Sequence, residues 1–212
     1  MTWTVQKEIW IGLGDYVAGG SRSPPFIRSE DAIPRRPIVM GSMGISDGRD
    51  PYDSATMWAD SGADGILIRV DSADDLASVA MIAQVTGIPI ALSGDQAVVE
   101  GIASAINGTA IMLIGAGPVV GHVSVRGPGS DADMAYFDGL DTDGMYAYRL
   151  SGLKGDPGCM APIVADLSGF AGGPMEEALA GYEAMLCGAD VLMMGNPVSA
   201  DMCRFMGEEL GL

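Results

Sequence analysis

The feature that most constrains the fold is a step the chain takes twice. Ser61-Gly-Ala-Asp-Gly-Ile-Leu-Ile68 and Cys187-Gly-Ala-Asp-Val-Leu-Met193 share one pattern. A helix ends, glycine supplies the exit, and a short apolar run follows. Runs that are apolar at successive positions fit strands buried on both faces. Such strands belong to a parallel sheet with helical crossovers.

The same rhythm covers the chain from Pro37 onward. Strands are predicted at Ile38–Met40, Ile66–Ile68, Ile88–Leu92 and Ala110–Ile114, with helices at Pro51–Ala63, Ala73–Thr86 and Gln96–Ile106. The middle is less regular. Val119–Val125 reads as a fifth strand, Asp131–Leu140 as a short helix, Met145–Leu150 as a weak sixth strand and Gly152–Gly158 as a loop. Pro162–Ala165 and Val191–Met194 read as strands seven and eight, Met175–Leu186 and Ser199–Leu210 as helices. The expected fold is α/β, a (β/α)8 TIM-type barrel. It is reduced or irregular in the middle, because such barrels usually take roughly 250 residues. The connections after strands four and six look too short for full helices.

Residues 1–36 read as an N-terminal β-hairpin and arm, and 37–212 as the barrel domain. Gly14-Asp15 and Gly19-Gly20 carry turn chemistry. Ser21-Arg-Ser-Pro-Pro25 suits neither a helix interior nor a central strand. Helix starts are marked by Asp50-Pro51 and Asn196-Pro197, and by the approximate capping boxes Ser72–Asp75 and Ser130–Asp133. Gly62, Gly87 and Gly188 stand where helices should stop.

Charge narrows the partners. With 28 acidic and 11 basic residues the formal net charge is −17. Nucleic acid and anionic membrane both call for cationic surface, so neither is an expected partner. Three cysteines without a CxxC make a poor disulfide framework and suit neither zinc nor a four-cysteine iron–sulfur cluster. They read as small buried hydrophobes in a cytoplasmic protein. No apolar stretch nears the roughly 20 residues needed to span a bilayer. Among 15 methionines, Met40, Met112, Met193 and Met194 read as core, and Met43, Met160, Met202 and Met206 as an adaptable contact surface.

Chemistry in such a barrel sits at the carboxyl ends of the strands. Those positions are Ser42 and Asp47, Arg69 and Asp71, Ser93 and Asp95, Arg126, Asp166, and Asn196. Small neighbours (Gly94, Gly115, Gly117, Ser168, Gly195) leave room and expose backbone N–H groups. That suits a broad ligand or a protein face. For Asp95 and Asn196 the competing role is capping of the helix that follows. Stronger constellations are missing. Lys154 lies in a predicted loop, away from a strand-borne Schiff-base position. His122 is the only histidine and reads as structural, in the fifth strand. Glycines 115, 117 and 121 miss the G-x-G-x-x-G spacing. Glu176-Glu177 fits macrodipole stabilisation of a helix start.

The order of several motifs resembles a known family. Gly19-Gly-Ser-Arg22 is similar to a Gly-Gly-Thr-Arg element, and Ala32-Ile-Pro-Arg-Arg-Pro-Ile-Val39 follows it. Next come Asp50-Pro51, Trp58-Ala59, Gly62-Ala-Asp64 and Asp71-Ser72. Met160-Ala-Pro-Ile-Val-Ala-Asp166, Glu176-Glu-Ala178 and Ala189-Asp-Val-Leu-Met-Met-Gly-Asn-Pro197 close the series. Together they resemble the small (delta) subunit of the corrinoid/iron–sulfur protein of CO dehydrogenase/acetyl-CoA synthase, over most of residues 9–212. The resemblance implies one-carbon metabolism, with the barrel top facing a corrinoid that carries a methyl group. It implies a larger corrinoid/iron–sulfur barrel subunit, or another methyl-transfer protein, as partner. Neither the cluster cysteines nor the D-x-H-x-x-G pattern of corrinoid-ligating modules is present, so the chain resembles the partner barrel, without an iron–sulfur cluster of its own. It is shorter than that subunit, and Gly195-Asn-Pro197 stands where the family tends to have histidine before proline. Two other readings stay open. One is an independent pterin-dependent methyltransferase-like enzyme, with Asp71, Asp95 and Asp166 on the ring's donor edge. The other is a purely structural or assembly subunit with a degenerate site.

Overall fold

The computed structural model describes residues 10–19, 36–106, 111–138, 145–156, 159 and 161–209. An antiparallel hairpin, β1 (Trp10–Leu13) and β2 (Tyr16–Gly19), comes first. Eight strands follow: β3 (Ile38–Gly44), β4 (Gly65–Val70), β5 (Ile90–Gly94), β6 (Ile111–Ile114), β7 (Val123–Arg126), β8 (Met134–Asp138), β9 (Ile163–Asp166) and β10 (Val191–Met194). All eight are parallel and close into a barrel, with the neighbour order β10-β3-β4-β5-β6-β7-β8-β9. The helices are α1 (Pro51–Asp60), α2 (Leu76–Thr86), α3 (Gln96–Ala105), α4 (Tyr146–Gly155), α5 (Pro174–Leu186) and α6 (Pro197–Glu209).

The pleat divides the core into two layers. Met40, Leu67, Ala91, Met112, Val164 and Met193 fill the barrel interior. Their neighbours Val39, Ile66, Ile68, Leu92 and Leu192 point outward and pack under the helices. Leu13 and Ala18 of the hairpin are fully buried in the interior layer. The hairpin therefore plugs the amino-terminal end of the barrel and leaves the carboxyl end for other use. α1 lies close to β3 because residue 41 is glycine. A Cβ there would fall inside the Trp58 ring.

The irregular middle is real but differs from the expectation. Among the described residues, the connections without helices follow the fourth and fifth barrel strands, β6 and β7. The sixth, β8, is followed by α4. Residues 131–140 were expected to be helical, yet Met134–Asp138 is a strand. Ser130 does not cap a helix, since its hydroxyl donates to the Gly127 carbonyl at 2.7 Å. Asp133 accepts from the Ser124 N–H and hydroxyl, both at 2.8 Å. Residues 145–150 were expected to be a strand and begin α4. Tyr146, Leu150 and Lys154 recur every fourth residue and form its buried face. Lys154 thus lies in the last turn of a helix, not in a loop, and pairs with Asp190 at 3.0 Å. The Tyr146 hydroxyl donates to the Ala180 carbonyl and ties α4 to α5.

The other helix signals act as read. Asp50 accepts from the N–H groups of Tyr52 and Asp53, and Ser72 with Asp75 forms a full capping box. Gly62, Gly87 and Gly188 take positive φ at helix exits. Met40, Met112, Met193 and Met194 are core. Met43 is also buried, so it is no contact surface, and Met160 lies outside the described residues.

Candidate functional site

The carboxyl ends of the strands carry a polar rim, built by the pleat. Val164 faces the interior, so Asp166 two residues on faces the mouth of the barrel. On the neighbouring strand Tyr136 packs against the interior layer, and its hydroxyl donates to Asp166 Oδ2 at 2.7 Å. Asp166 Oδ1 accepts the Ser168 N–H at 2.9 Å. Asp138 stands beside Asp166 in register, two residues beyond Tyr136. Burial, and next the hydrogen bond to Asp166, raise the Tyr136 pKa far above its ordinary value. The phenol is therefore a neutral donor at any physiological pH. Each Asp166 oxygen keeps a lone pair for a further donor.

The opposite side of the rim holds the cation. Leu67 faces inward, and so does Arg69 above it. Its guanidinium donates to Asp47 Oδ2 at 3.2 Å, and the same oxygen accepts the Gly44 N–H at 2.6 Å. Both side chains of this pair are about half exposed. Ser42 and Ser93 take inward positions on β3 and β5, above Met40 and Ala91. The Ser42 hydroxyl is buried and has no hydrogen-bond partner among the described residues.

The remaining expected site residues lie at the same end of the barrel but outside these two groups. Asp95 caps α3, accepting from Ala97 N–H at 2.9 Å. Asn196 caps α6, accepting from Val198 N–H at 2.9 Å. Asp71 is exposed in the β4–α2 connection, where its N–H donates to Asp75. Arg126 follows the inward Val125, and its guanidinium donates to the Asp131 carbonyl at 3.0 Å. His122 lies just before β7, at the amino-terminal end of the barrel. Among the described residues no cluster of three or more His, Cys, Asp or Glu could hold a metal ion.

Three polar residues near the rim were not singled out from the sequence. Tyr136 and Asp138 were hidden by the helix expected at 131–140. Tyr-Phe, followed by Asp138-Gly139, is a strand-and-turn signal that points to them. Glu177 was read only as a helix-dipole residue. It is buried, and its Oε1 accepts the Gly195 N–H at 2.5 Å. A carboxylate thus occupies the backbone donor at the end of β10.

No family model and no curated protein matches the sequence. Solved structures do match, over nearly the whole length. Dihydropteroate synthase (FolP) from Thermus thermophilus superposes with a TM-score of 0.56 at 12% identity, covering 96% of this chain and 98% of that one. This is the TIM-barrel fold. Yersinia pestis dihydropteroate synthase with a pterine-sulfa conjugate gives a TM-score of 0.58 at 13% identity, covering 95% and 98%. A truncated 3-deoxy-D-arabino-heptulosonate 7-phosphate synthase from Thermotoga maritima gives 0.52 at 11% identity, covering 96% and 90%. At these identities the likeness extends to the fold. Among the described residues no helix is long and apolar enough to cross a membrane.

Proposed function

We infer that the barrel mouth binds a flat heterocycle of the pterin class, and that the chain serves one-carbon transfer. The observation that carries this is the Asp166 carboxylate. It faces the mouth, is oriented by Tyr136 and Ser168, and retains lone pairs for a donor edge. A pterin presents amide-like N–H groups on one edge, which suit a carboxylate acceptor. The solved neighbours include a dihydropteroate synthase bound to a pterine-sulfa conjugate. Asp71 and Asp95 drop out of the ring-binding set. Asp95 is engaged with α3, and Asp71 sits on the outer rim.

A corrinoid, when bound, supplies a cobalt that accepts and releases a methyl group. The mouth fits such a group only as a shared face. The one histidine is at the other end of the barrel, so it offers no imidazole to a cobalt at this rim. Ser42, Asp47, Arg69, Ser93 and Asp166 would meet a corrinoid held by a larger partner subunit.

Titration calorimetry with 6-methylpterin tests the reading. The native protein should bind, and Asp166→Asn should weaken binding about 10- to 100-fold, the worth of a charge-assisted hydrogen bond. Tyr136→Phe should weaken it less, since it removes only the orienting contact. No binding at millimolar pterin would overturn the pterin assignment. Native mass spectrometry of protein isolated anaerobically tests the partner. A complex with a larger subunit and the mass of a corrinoid supports the shared face, and a bare homo-oligomer counts against it.

A further inference from the structure

The outer surface of α5 and α6 carries an apolar strip whose half-buried members Tyr182 and Met202 rest on the core while the others stand in solvent. The helices approach closely because small residues meet between them. A Cβ at Gly181 would stand 2.5 Å from the Cys203 sulfur. The Cys203 thiol donates to the Ala178 carbonyl at 3.4 Å, and Ser199 Oγ to that of Pro174 at 2.9 Å. Beside this seam α5 presents Met175, Leu179 and Tyr182, spaced i, i+4, i+7. α6 presents Val198, Met202 and Phe205 at the same spacing. Met175, Leu179, Val198 and Phe205 are 53–59% exposed.

Acidic rows border this strip on both sides. At about 100° per residue, the order around each helix is seam, apolar stripe, carboxylates, and the α6 stripe ends in the exposed Glu209, four residues beyond Phe205. On α5 the outer row is Glu176 and Glu183, and on α6 it is Asp201 and Glu208, all exposed. Arg204 is already held by Asp201 at 3.1 Å and Glu208 at 2.9 Å.

We propose that the α5–α6 groove docks an amphipathic, basic helix of another protein. Its apolar side would lie on the two stripes and its lysines or arginines along the two acidic rows. This is the helix-in-groove mode of recognition, and methionine side chains such as Met202 and Met206 adapt to the incoming face. Charge selects this occupant over a second copy of the chain. Two copies at −17 each would bring acidic rows toward acidic rows. The named stripes run over 175–182 and 198–205, so they meet about two turns of a partner helix, and the 13-residue helices flank about two more.

The probe is a synthetic leucine–lysine peptide of about four turns with all leucines on one face. Its control has the same composition with leucines spread around the helix. At physiological salt the native protein should bind the amphipathic peptide at least about tenfold more tightly, with methyl shifts at Met202 and Met206. The double variant Leu179→Glu, Phe205→Glu adds negative charge, so unspecific attraction rises while the groove is spoiled. It should lose the preference and keep the native melting temperature. Equal affinity for the two peptides, or an unchanged preference in the variant, would overturn the proposal. So would a native dimer, seen by sedimentation, that the variant dissociates, because the occupant would then be a second copy.

Discussion

Asp64 grips Val39 on both sides of the residue. Its N–H donates to the Val39 carbonyl at 2.8 Å, and its carboxylate accepts the Val39 N–H at 2.9 Å. Asp190 does the same to Ile163, at 2.8 Å and 2.7 Å. Each aspartate also holds one cation, Arg36 for Asp64 and Lys154 for Asp190. The repeated Gly-Ala-Asp step is therefore a clamp. It fixes the start of one barrel strand against the strand that precedes it in space or sequence.

Removing either clamp should be costly. Asp64→Ala leaves a buried N–H and a part-buried guanidinium without their partner, and should lower stability by about 3 kcal/mol. Asp190→Ala should act likewise. Asp47→Ala breaks a half-exposed pair with Arg69 and should cost about 1 kcal/mol or less. Urea denaturation of the three variants ranks them, and equal losses would refute the clamp.

Gly41 and Trp58 are coupled by contact. Gly41→Ala drives a methyl into the indole and should cost about 3 kcal/mol, at the upper end for overpacking. In the Trp58→Leu background the same change should cost much less. A double-mutant cycle measures the difference, and additive effects would contradict the packing.

The hairpin is part of the barrel core. Leu13 is fully buried with Met40 and Met193, so Leu13→Ala should destabilise by about 3 kcal/mol through lost burial and a cavity. Loss of the hairpin signal alone, with barrel unfolding unchanged, would contradict this. Amide exchange of β3 and β10 distinguishes the two.

Alkali should destabilise the protein. Burial, reinforced by the Glu177 carboxylate, pushes the Cys203 thiol from 9.0 up to about 12. Burial raises the phenols of Tyr136 and Tyr146 as well. Above pH 9 the unfolded chain releases the thiol proton while the folded chain keeps it. The contribution is fully present below pH 9 and is lost as pH rises toward 12. The loss attributable to Cys203 should be about 1 kcal/mol between pH 9 and 10. Denaturation midpoints from pH 8 to 11 check this, and Cys203→Ala should fall less steeply than the native protein.

Most of the barrel was legible because its signals are local. Continuous apolar runs marked β3, β4, β5, β6, β9 and β10, and capping chemistry marked α1, α2, α3 and α6. The region from 115 to 155 misled for a physical reason. Ser130-Asp-Ala-Asp133 resembles a helix start, yet its side chains bond to Gly127 and Ser124 across a loop. Tyr146 to Leu150 has strand-prone residues, yet its fourth-residue spacing buries one helical face on α5. The rim was half legible. Strand ends located Ser42, Arg69, Ser93 and Asp166, while Tyr136 and Asp138 depended on a strand assigned the other way.

By itself the sequence determined a parallel, helix-covered sheet, its acidity and the repeated helix-end, glycine-exit and strand step. Each follows from side chains acting within a few residues or from summed charge. Only the tertiary structure decided which strand ends face the mouth, that Asp64 and Asp190 clamp the neighbouring strand, and that Asp166 leans on Tyr136. Those outcomes depend on the closure of the barrel. Its register sets residues 30 positions apart within one hydrogen bond of each other.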